Sequence, residues 1–479
     1  MNPFITIKEL KEKLERKKLS TKEVLTFFFN RIKKHNTKLN AIVETFDTPI
    51  ESGTNQGILG GIPFLLKDNI CQKGHITSAA SKILATYKAP YDATVTSRLK
   101  EAGGVSLGRA NCDEFAMGSS GEFSAYGPTK NPWNTDYVPG GSCSGSGAAV
   151  AAGLVPFTLG TETGGSVRNP ASFCNLVGMY PTYGRVSRYG IVALTSSTDQ
   201  VGPITRTVYD NALVLSVLAG ADPHDTTSLQ SQAPDYTKEL DGTLPANLKI
   251  GVIKDSLEAD GINEEVRTAF QATIAHLKKL GATISIIDLP NLKYGIPLYF
   301  IINRAEAASN LYRYDGSLYG VRNTSAKNLF DMYLATRHDN FGTEVKRRIL
   351  LGNYVLSSGH KDAYYHKAQQ IRAMIRAEFE NAFKDVNLLM SPTLSILPFK
   401  LGEFANDPVA MYWADYFTVS NCIIGTPALS LPCGFSKNNL PIGFQFLGPR
   451  LSEQLIYKVA HAFQVSTDYH TKTPAGFQE

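Results

Sequence analysis

Apolar residues recur at helical spacing from the start of the chain, with Ile7, Leu10 and Leu14 on one helix face and Phe27, Phe28 and Ile32 on another. Ser20 followed by Glu23 has the spacing of a capping box and marks the start of the second helix. The chain therefore opens as a helical pair. The period then changes. A turn at 57–61 leads into a short apolar run at 62–66, a strand that delivers Lys67 at its end. Residues 94–102 read as a helix and 103–109 as a strand. The stretch from Asn111 to Trp133 is rich in Gly, Ser, Asn and Pro and has no period, which predicts an irregular loop. A small-residue helix at 147–153 and a buried strand at 155–160 follow.

Residues 221–248 are rich in Asp, Thr, Ser and Pro and read as a surface connection. Beyond them, 249–253, 264–280 and 282–287 form a β-α-β pattern. From 299 to 376 the period is mostly helical, with a turn at Asp315-Gly316. Strands return at 387–390, 428–432 and 442–447, the last two separated by a turn at 436–440, and a final helix spans 452–463. There is no internal repeat and no low-complexity tail.

Composition narrows the class. Of 479 residues, 43% are hydrophobic and 19% charged, ordinary for a soluble globular protein, and no run of apolar residues is long enough for a membrane span. A formal charge of +5 is small for this length, and the lysines are scattered, so polyanion binding by this chain alone is not implied. The basic cluster 11–18 reads as the solvated face of a helix. The six cysteines, Cys71, Cys112, Cys143, Cys174, Cys422 and Cys433, include no C-x-x-C pair, which with no leader-like N-terminus reads as reduced thiols in a bacterial cytoplasm; a processed organellar form stays open.

The densest chemical signal is the Gly- and Ser-rich run 140–168, with two glycine-flanked serines, Ser142 and Ser166. Glycines beside a serine let the backbone approach a ligand and turn its N–H groups to one point. The run has the glycines of a phosphate loop but not its lysine, and neither serine has the G-x-S-x-G spacing of a nucleophile elbow. None of the nine histidines is beside either serine in sequence. Lys67, in an apolar setting that disfavours its ammonium form, is available as the base for a serine nucleophile.

Lys67 in GGIPFLLKDNI, Ser142 in PGGSCSGS and Ser166 in GTETGGSVRNPASFC resemble the amidase-signature family, and the match continues through VGMYPTYGRVSRYG at 177–190 and DQVGP at 199–203. The likeness covers nearly the whole chain and is strongest to the branch that serves tRNA-dependent amidation. It implies one large α/β domain over 1–479, with a mixed central β-sheet covered by helices on both faces. Its parts would be an N-terminal helical part (1–56), a catalytic core (57–220), the connection 221–248, and a remainder (249–479) that completes the sheet, the helical cover and substrate recognition.

The resemblance also assigns roles. Ser166 would be the nucleophile, Ser142, held in a cis peptide, the proton relay, and Lys67 the base. The N–H groups of Thr163, Gly164, Gly165 and Ser166 would form the oxyanion hole, and Met117, Gly118, Ser119 and Tyr299 would line the substrate pocket. For a glutamine substrate, Arg348 would take the carboxylate, with Arg347 as the competing choice, and Asp415 the ammonium. No metal or cofactor is implied in this chain. ATP and Mg²⁺ would belong to a partner B subunit that binds tRNA, with a small C subunit completing a heterotrimer and no membrane involved. The amidated product, Gln-tRNA(Gln) from Glu-tRNA(Gln) or Asn-tRNA(Asn) from Asp-tRNA(Asn), stays open. A free-standing amidase acting on another small or aryl amide is the alternative activity, and a silent phosphate-binding scaffold a more distant one. Three positions depart from the family pattern: Cys143 replaces a serine, Ser144 a glycine and Glu162 an aspartate.

Overall fold

The computed structural model of the chain describes residues 1–46, 56–405 and 407–479. The end of the predicted N-terminal part, 47–55, lies outside them. The first two predicted helices form at Ile7–Glu15 and Thr21–Leu39, and both N-termini carry reciprocal capping boxes, Thr6 with Glu9 and Ser20 with Glu23. The first helix is docked by a distant acid as well, since the Asp210 carboxylate accepts the Ile7 N–H at 2.9 Å and the Lys8 N–H at 3.2 Å.

Eleven strands follow in chain order: β1 Ile42–Thr45, β2 Pro63–Lys67, β3 Val105–Ala110, β4 Phe157–Glu162, β5 Val177–Tyr180, β6 Gln200–Thr205, β7 Lys249–Ile253, β8 Thr283–Ile287, β9 Leu388–Pro392, β10 Ala428–Phe435 and β11 Pro441–Leu447. They make one sheet in the order β1-β3-β2-β4-β6-β5-β10-β11-β9-β7-β8. It is mixed: β3, β2 and β4 run parallel, as do β9, β7 and β8, while the strands between them pair antiparallel. The expected α/β class and mixed sheet are borne out. β5 pairs with β10, with Ala428 opposite Tyr180. Through that pairing the sheet runs unbroken from the predicted catalytic core into the C-terminal half.

Several elements differ from the sequence pattern. β1 pairs antiparallel with β3 inside the part expected to be helical. β5, β6 and the helix Val208–Leu218 occupy a stretch with no readable period. Every residue of β5 and β6 is buried, so neither face alternates. The small-residue helix begins earlier, at Ser144, and β4 ends later, at Glu162. All eight residues of that helix, Ser144–Ala151, are buried, which their small size permits. The connection 221–248 has no regular element, yet Tyr236 within it packs into the core against Tyr457.

The helices Gly295–Leu311, Leu329–Asn340, Thr343–Leu356 and Lys367–Asp385 fill the predicted helical region. Among the described residues no helix is long and apolar enough to cross a membrane. All six cysteines are buried and unpaired.

Candidate active site

Three loops at the ends of neighbouring strands meet around Lys67. The lysine is the last residue of β2 and is fully buried. Its Nζ lies 2.7 Å from Ser142 Oγ, 3.2 Å from Cys143 Sγ, and 3.1 and 3.2 Å from the hydroxyl and carbonyl oxygens of Thr161. Asn69 donates to the same Thr161 hydroxyl at 2.9 Å. Parallel pairing of β2 with β4 brings these residues together across a long sequence separation.

Ser142 precedes the helix Ser144–Ala151, and the Gly141-Ser142 peptide is cis. Its carbonyl accepts the Asp113 N–H at 3.1 Å, and the Cys143 N–H donates to the Ser166 carbonyl at 3.2 Å. Ser142 is thereby tied to both the 111–133 loop and the turn that carries Ser166. Cys143, which replaces a serine, also donates to the Thr161 carbonyl at 3.1 Å. Burial pushes its thiol up, with the Lys67 charge opposing. Ser144 donates to the Thr129 hydroxyl at 3.1 Å.

The turn 163–166 leaves β4 and enters the short helix Arg168–Phe173. Glu162 anchors both ends: one carboxylate oxygen accepts the N–H groups of Val167 and Arg168 at 3.0 and 3.1 Å, and the other accepts the Arg168 guanidinium. Burial works against the Arg168 charge, but Glu162 outweighs it and raises the pKa.

On one side of the turn, Thr163 shares a 2.8 Å hydrogen bond with the Tyr299 hydroxyl, and a Cβ on Gly164 would lie 2.6 Å from Tyr299 Cζ. On the other, Gly165 has φ +145°, and a Cβ there would fall 2.7 Å from Thr418 Oγ1 and 3.2 Å from Asp415 Oδ1. The Thr418 hydroxyl donates to the Gly164 carbonyl at 2.7 Å. Among the described residues none accepts a hydrogen bond from the N–H groups of Thr163, Gly164, Gly165 or Ser166. Buried backbone donors are normally paired, so a row of free ones is equipped to take an anionic oxygen.

Two charged poles flank this turn. At one, half-buried Asp415 accepts the Ser119 hydroxyl at 2.5 Å and the Asn169 amide at 3.4 Å. Burial pushes its carboxyl up to about 6, those two donors opposing. At the other, buried Arg348 donates to Glu344 at 2.7 Å and to Asn303 at 3.5 Å. Burial pushes the Glu344 carboxyl up, but the Arg348 charge and hydrogen bond outweigh it and hold it below the usual range.

Arg347, the competing arginine, is 39% exposed and meets only the outer oxygen of Glu344. The geometry therefore puts Arg348, and not Arg347, inside. Tyr299 joins the pole to the turn: Asn303 donates to its hydroxyl at 3.3 Å, and burial pushes that hydroxyl up to about 12. Arg304 lies 3.8 Å over the Phe300 ring, and burial with the like charge of Arg348 pulls it down to about 9.

The loop residues are placed differently from one another. Ser119 reaches Asp415, and Gly118 backs against the Asp113 carboxylate. Met117 points away into an apolar cluster with Phe115, Val345 and Ile349, so its side chain supports the wall from behind. Sequence reasoning missed Thr161, Glu344, Asn303 and Thr418. Of these only Glu344 left a signal, its i,i+4 spacing to Arg348 on one helix.

Known proteins are similar to this chain in sequence and in fold. The model of the family described as Amidase matches residues 23–457. The A subunit of the glutamyl-tRNA(Gln) amidotransferase from Halothermothrix orenii is 49% identical over 473 residues, covering 98% of each chain. The crystal structure of the A subunit of the Thermotoga maritima glutamyl-tRNA(Gln) amidotransferase superposes with a TM-score of 0.85 at 37% identity, covering 99% of this chain and 98% of that one. A 6-aminohexanoate cyclic dimer hydrolase, complexed with its substrate, superposes with a TM-score of 0.87 at 25% identity over the whole of both chains.

Proposed function

The chain belongs to the amidase family, and from that premise we propose that it is the glutamine-hydrolysing component of a tRNA-dependent amidotransferase. The observation that carries the reading is the placement of Arg348 and Asp415 on either side of the Ser166 turn. An α-amino acid carries a carboxylate and an ammonium on one carbon. An arginine with a fixed fork of donors suits the first and a carboxylate the second. An apolar or aryl amide needs neither.

In this reading Ser166 Oγ attacks the side-chain carboxamide carbon of glutamine. Ser142 takes the Ser166 proton while passing its own to the Lys67 amine, whose Nζ is 2.7 Å away. The oxygen of the tetrahedral intermediate gathers negative charge and is received by the free N–H groups of the 163–166 turn. Lys67 and Ser142 return the proton to the departing nitrogen, and ammonia leaves. Water then attacks the glutamyl ester, its proton following the same route, and glutamate is released with Ser166 restored.

Ammonia free in water is soon protonated and lost as a nucleophile, which favours a partner that receives it directly. The B and C partners, with ATP and Mg²⁺ on the tRNA-binding B subunit, would use it to convert Glu-tRNA(Gln) to Gln-tRNA(Gln). The names of the close relatives support this assignment. The deciding experiment is ammonia release from glutamine by the chain co-purified with its partners, against the Ser166→Ala variant. Release that vanishes in the variant supports nucleophile and substrate together. A complex that ignores glutamine but cleaves an aryl amide indicates a free-standing amidase.

A further inference from the structure

The loop that carries Ser119 and the helix that carries Arg348 are far apart in sequence, and a buried carboxylate fastens them. Glu114 lies at the start of the turn Glu114–Ala116, just upstream of Met117. Its Oε1 accepts the Ser81 hydroxyl at 2.5 Å, and its Oε2 accepts the Gly342 N–H at 2.8 Å. Gly342 is the N-cap of the helix Thr343–Leu356 and has no side chain with which to cap it. Glu114 instead accepts the N-cap residue's own N–H from the other loop, the half of a capping box that an N3 side chain usually supplies, and a carboxylate also suits the helix's positive end. A Cβ on Gly342 would lie 2.3 Å from Glu114 Oε2, so glycine permits the approach.

The contact is built on both sides. Phe115 and Ala116 have φ +50° and +59°, a left-handed conformation that non-glycine residues keep only when their surroundings hold it. The Phe115 ring packs 5.7 Å from that of Phe341, immediately before Gly342. Met117 shares an apolar cluster with Val345 and Ile349, which lie on the Arg348 helix. Polar and apolar contacts thus lock the same two segments together.

We propose that Glu114 is a positioning residue for the substrate, holding the Ser119–Asp415 pole and Arg348 in fixed relation to each other. The inference rests on the glutamine reading above. Loosening the joint weakens binding of a substrate gripped at both poles, while the relay of Lys67, Ser142 and Ser166 stays intact.

The test is steady-state ammonia release from glutamine by the chain in complex with its partner subunits, comparing wild type with Glu114→Ala, Glu114→Gln and Ser81→Ala. Losing the tie to Gly342 in Glu114→Ala is expected to raise KM about tenfold and leave kcat within about twofold, as for a lost binding contact. Glu114→Gln keeps an acceptor for the Gly342 N–H and is expected to bring KM back to within about threefold of wild type. Ser81→Ala frees one side of the carboxylate only and raises KM about threefold; it decides the matter if Glu114→Ala does not fold. An unchanged KM, a fall in kcat at constant KM, or a glutamine variant no better than the alanine one overturns the proposal. A wild-type complex that releases no ammonia from glutamine overturns the substrate reading itself, before any variant is compared.

Discussion

Lys67 Nζ stands 2.7 Å from Ser142 Oγ, and both residues are fully shut off from water. Among the described residues no carboxylate hydrogen-bonds the lysine; its other partners are Cys143 Sγ and the two oxygens of Thr161. The amine is thus aimed at a serine hydroxyl, the contact that a base serving a serine nucleophile needs.

Replacing the proposed base, Lys67, should abolish chemistry and spare binding. Lys67→Met keeps the length of the side chain and removes the amine. We expect kcat for glutamine to fall by about 10³-fold or more with KM little changed, since the lost group acts on the proton and not on the substrate. Kinetics with a parallel thermal melt would check this. A variant that melts like wild type and keeps a tenth of the turnover would rule out Lys67 as the base.

Gly165→Ala should be damaging although it adds one methyl group. At φ +145° the new Cβ meets Thr418 Oγ1 at 2.7 Å, and the backbone must rotate to escape. That rotation would turn the neighbouring N–H groups away from the proposed oxyanion position. A loss of about 10²-fold in kcat is expected, similar to the loss of one oxyanion donor. Full turnover in the variant would exclude this turn as the oxyanion site.

As the proposed partner of the substrate ammonium, Asp415, whose carboxyl burial pushes up to about 6, would give substrate binding a pH dependence. Above that value it is charged and attracts an ammonium; below it the attraction is lost. KM for glutamine should therefore rise about tenfold as pH falls from 7 to 5, and Asp415→Asn should show a high KM that is flat over that range. The sign for stability is opposite. A folded pKa above the unfolded one contributes stability that is full below about 4 and is lost as pH rises through about 6. Asp415→Asn should thus gain on the order of 1 kcal/mol at pH 7.5, read by chemical denaturation. A KM that is equally flat in wild type would remove Asp415 from ammonium recognition.

Glu344→Ala tests the clamp on Arg348. It would leave a buried guanidinium with only the 3.5 Å contact to Asn303, and Tyr412, which donates to Glu344 at 3.0 Å, without its acceptor. An unpaired buried charge costs about 3–5 kcal/mol, so a clear drop in melting temperature should accompany a raised KM. Glu344→Gln keeps an acceptor and should lose less on both counts. Equal melting temperatures for wild type and Glu344→Ala would show that Arg348 finds another partner.

What the chain reveals by itself is local. Ser20 and Glu23 announce a helix start because a capping box is closed within one turn, and the strand that ends at Lys67 shows in five successive residues. The glycines at 164 and 165 mark the turn, Gly165 because its φ of +145° suits other residues poorly and Gly164 because a side chain there would meet Tyr299. The resemblance extended this to residues with specific roles, since Lys67, Ser142 and Ser166 lie within short motifs. β5 and β6 left no such mark, because strands buried on both faces lose the alternation that identifies a strand.

The choice between Arg347 and Arg348 belonged to the tertiary structure. Adjacent residues on a helix point about 100° apart, so the motif could not say which arginine turns inward. Packing of Thr343–Leu356 against Gly295–Leu311 decided it, burying Arg348 beside Asn303 and leaving Arg347 at the surface. Glu114 at Gly342 and Thr161 at Lys67 are settled in the same way. Each contact joins segments that meet only when the sheet and its helical cover are assembled, and no spacing along the chain encodes that distance.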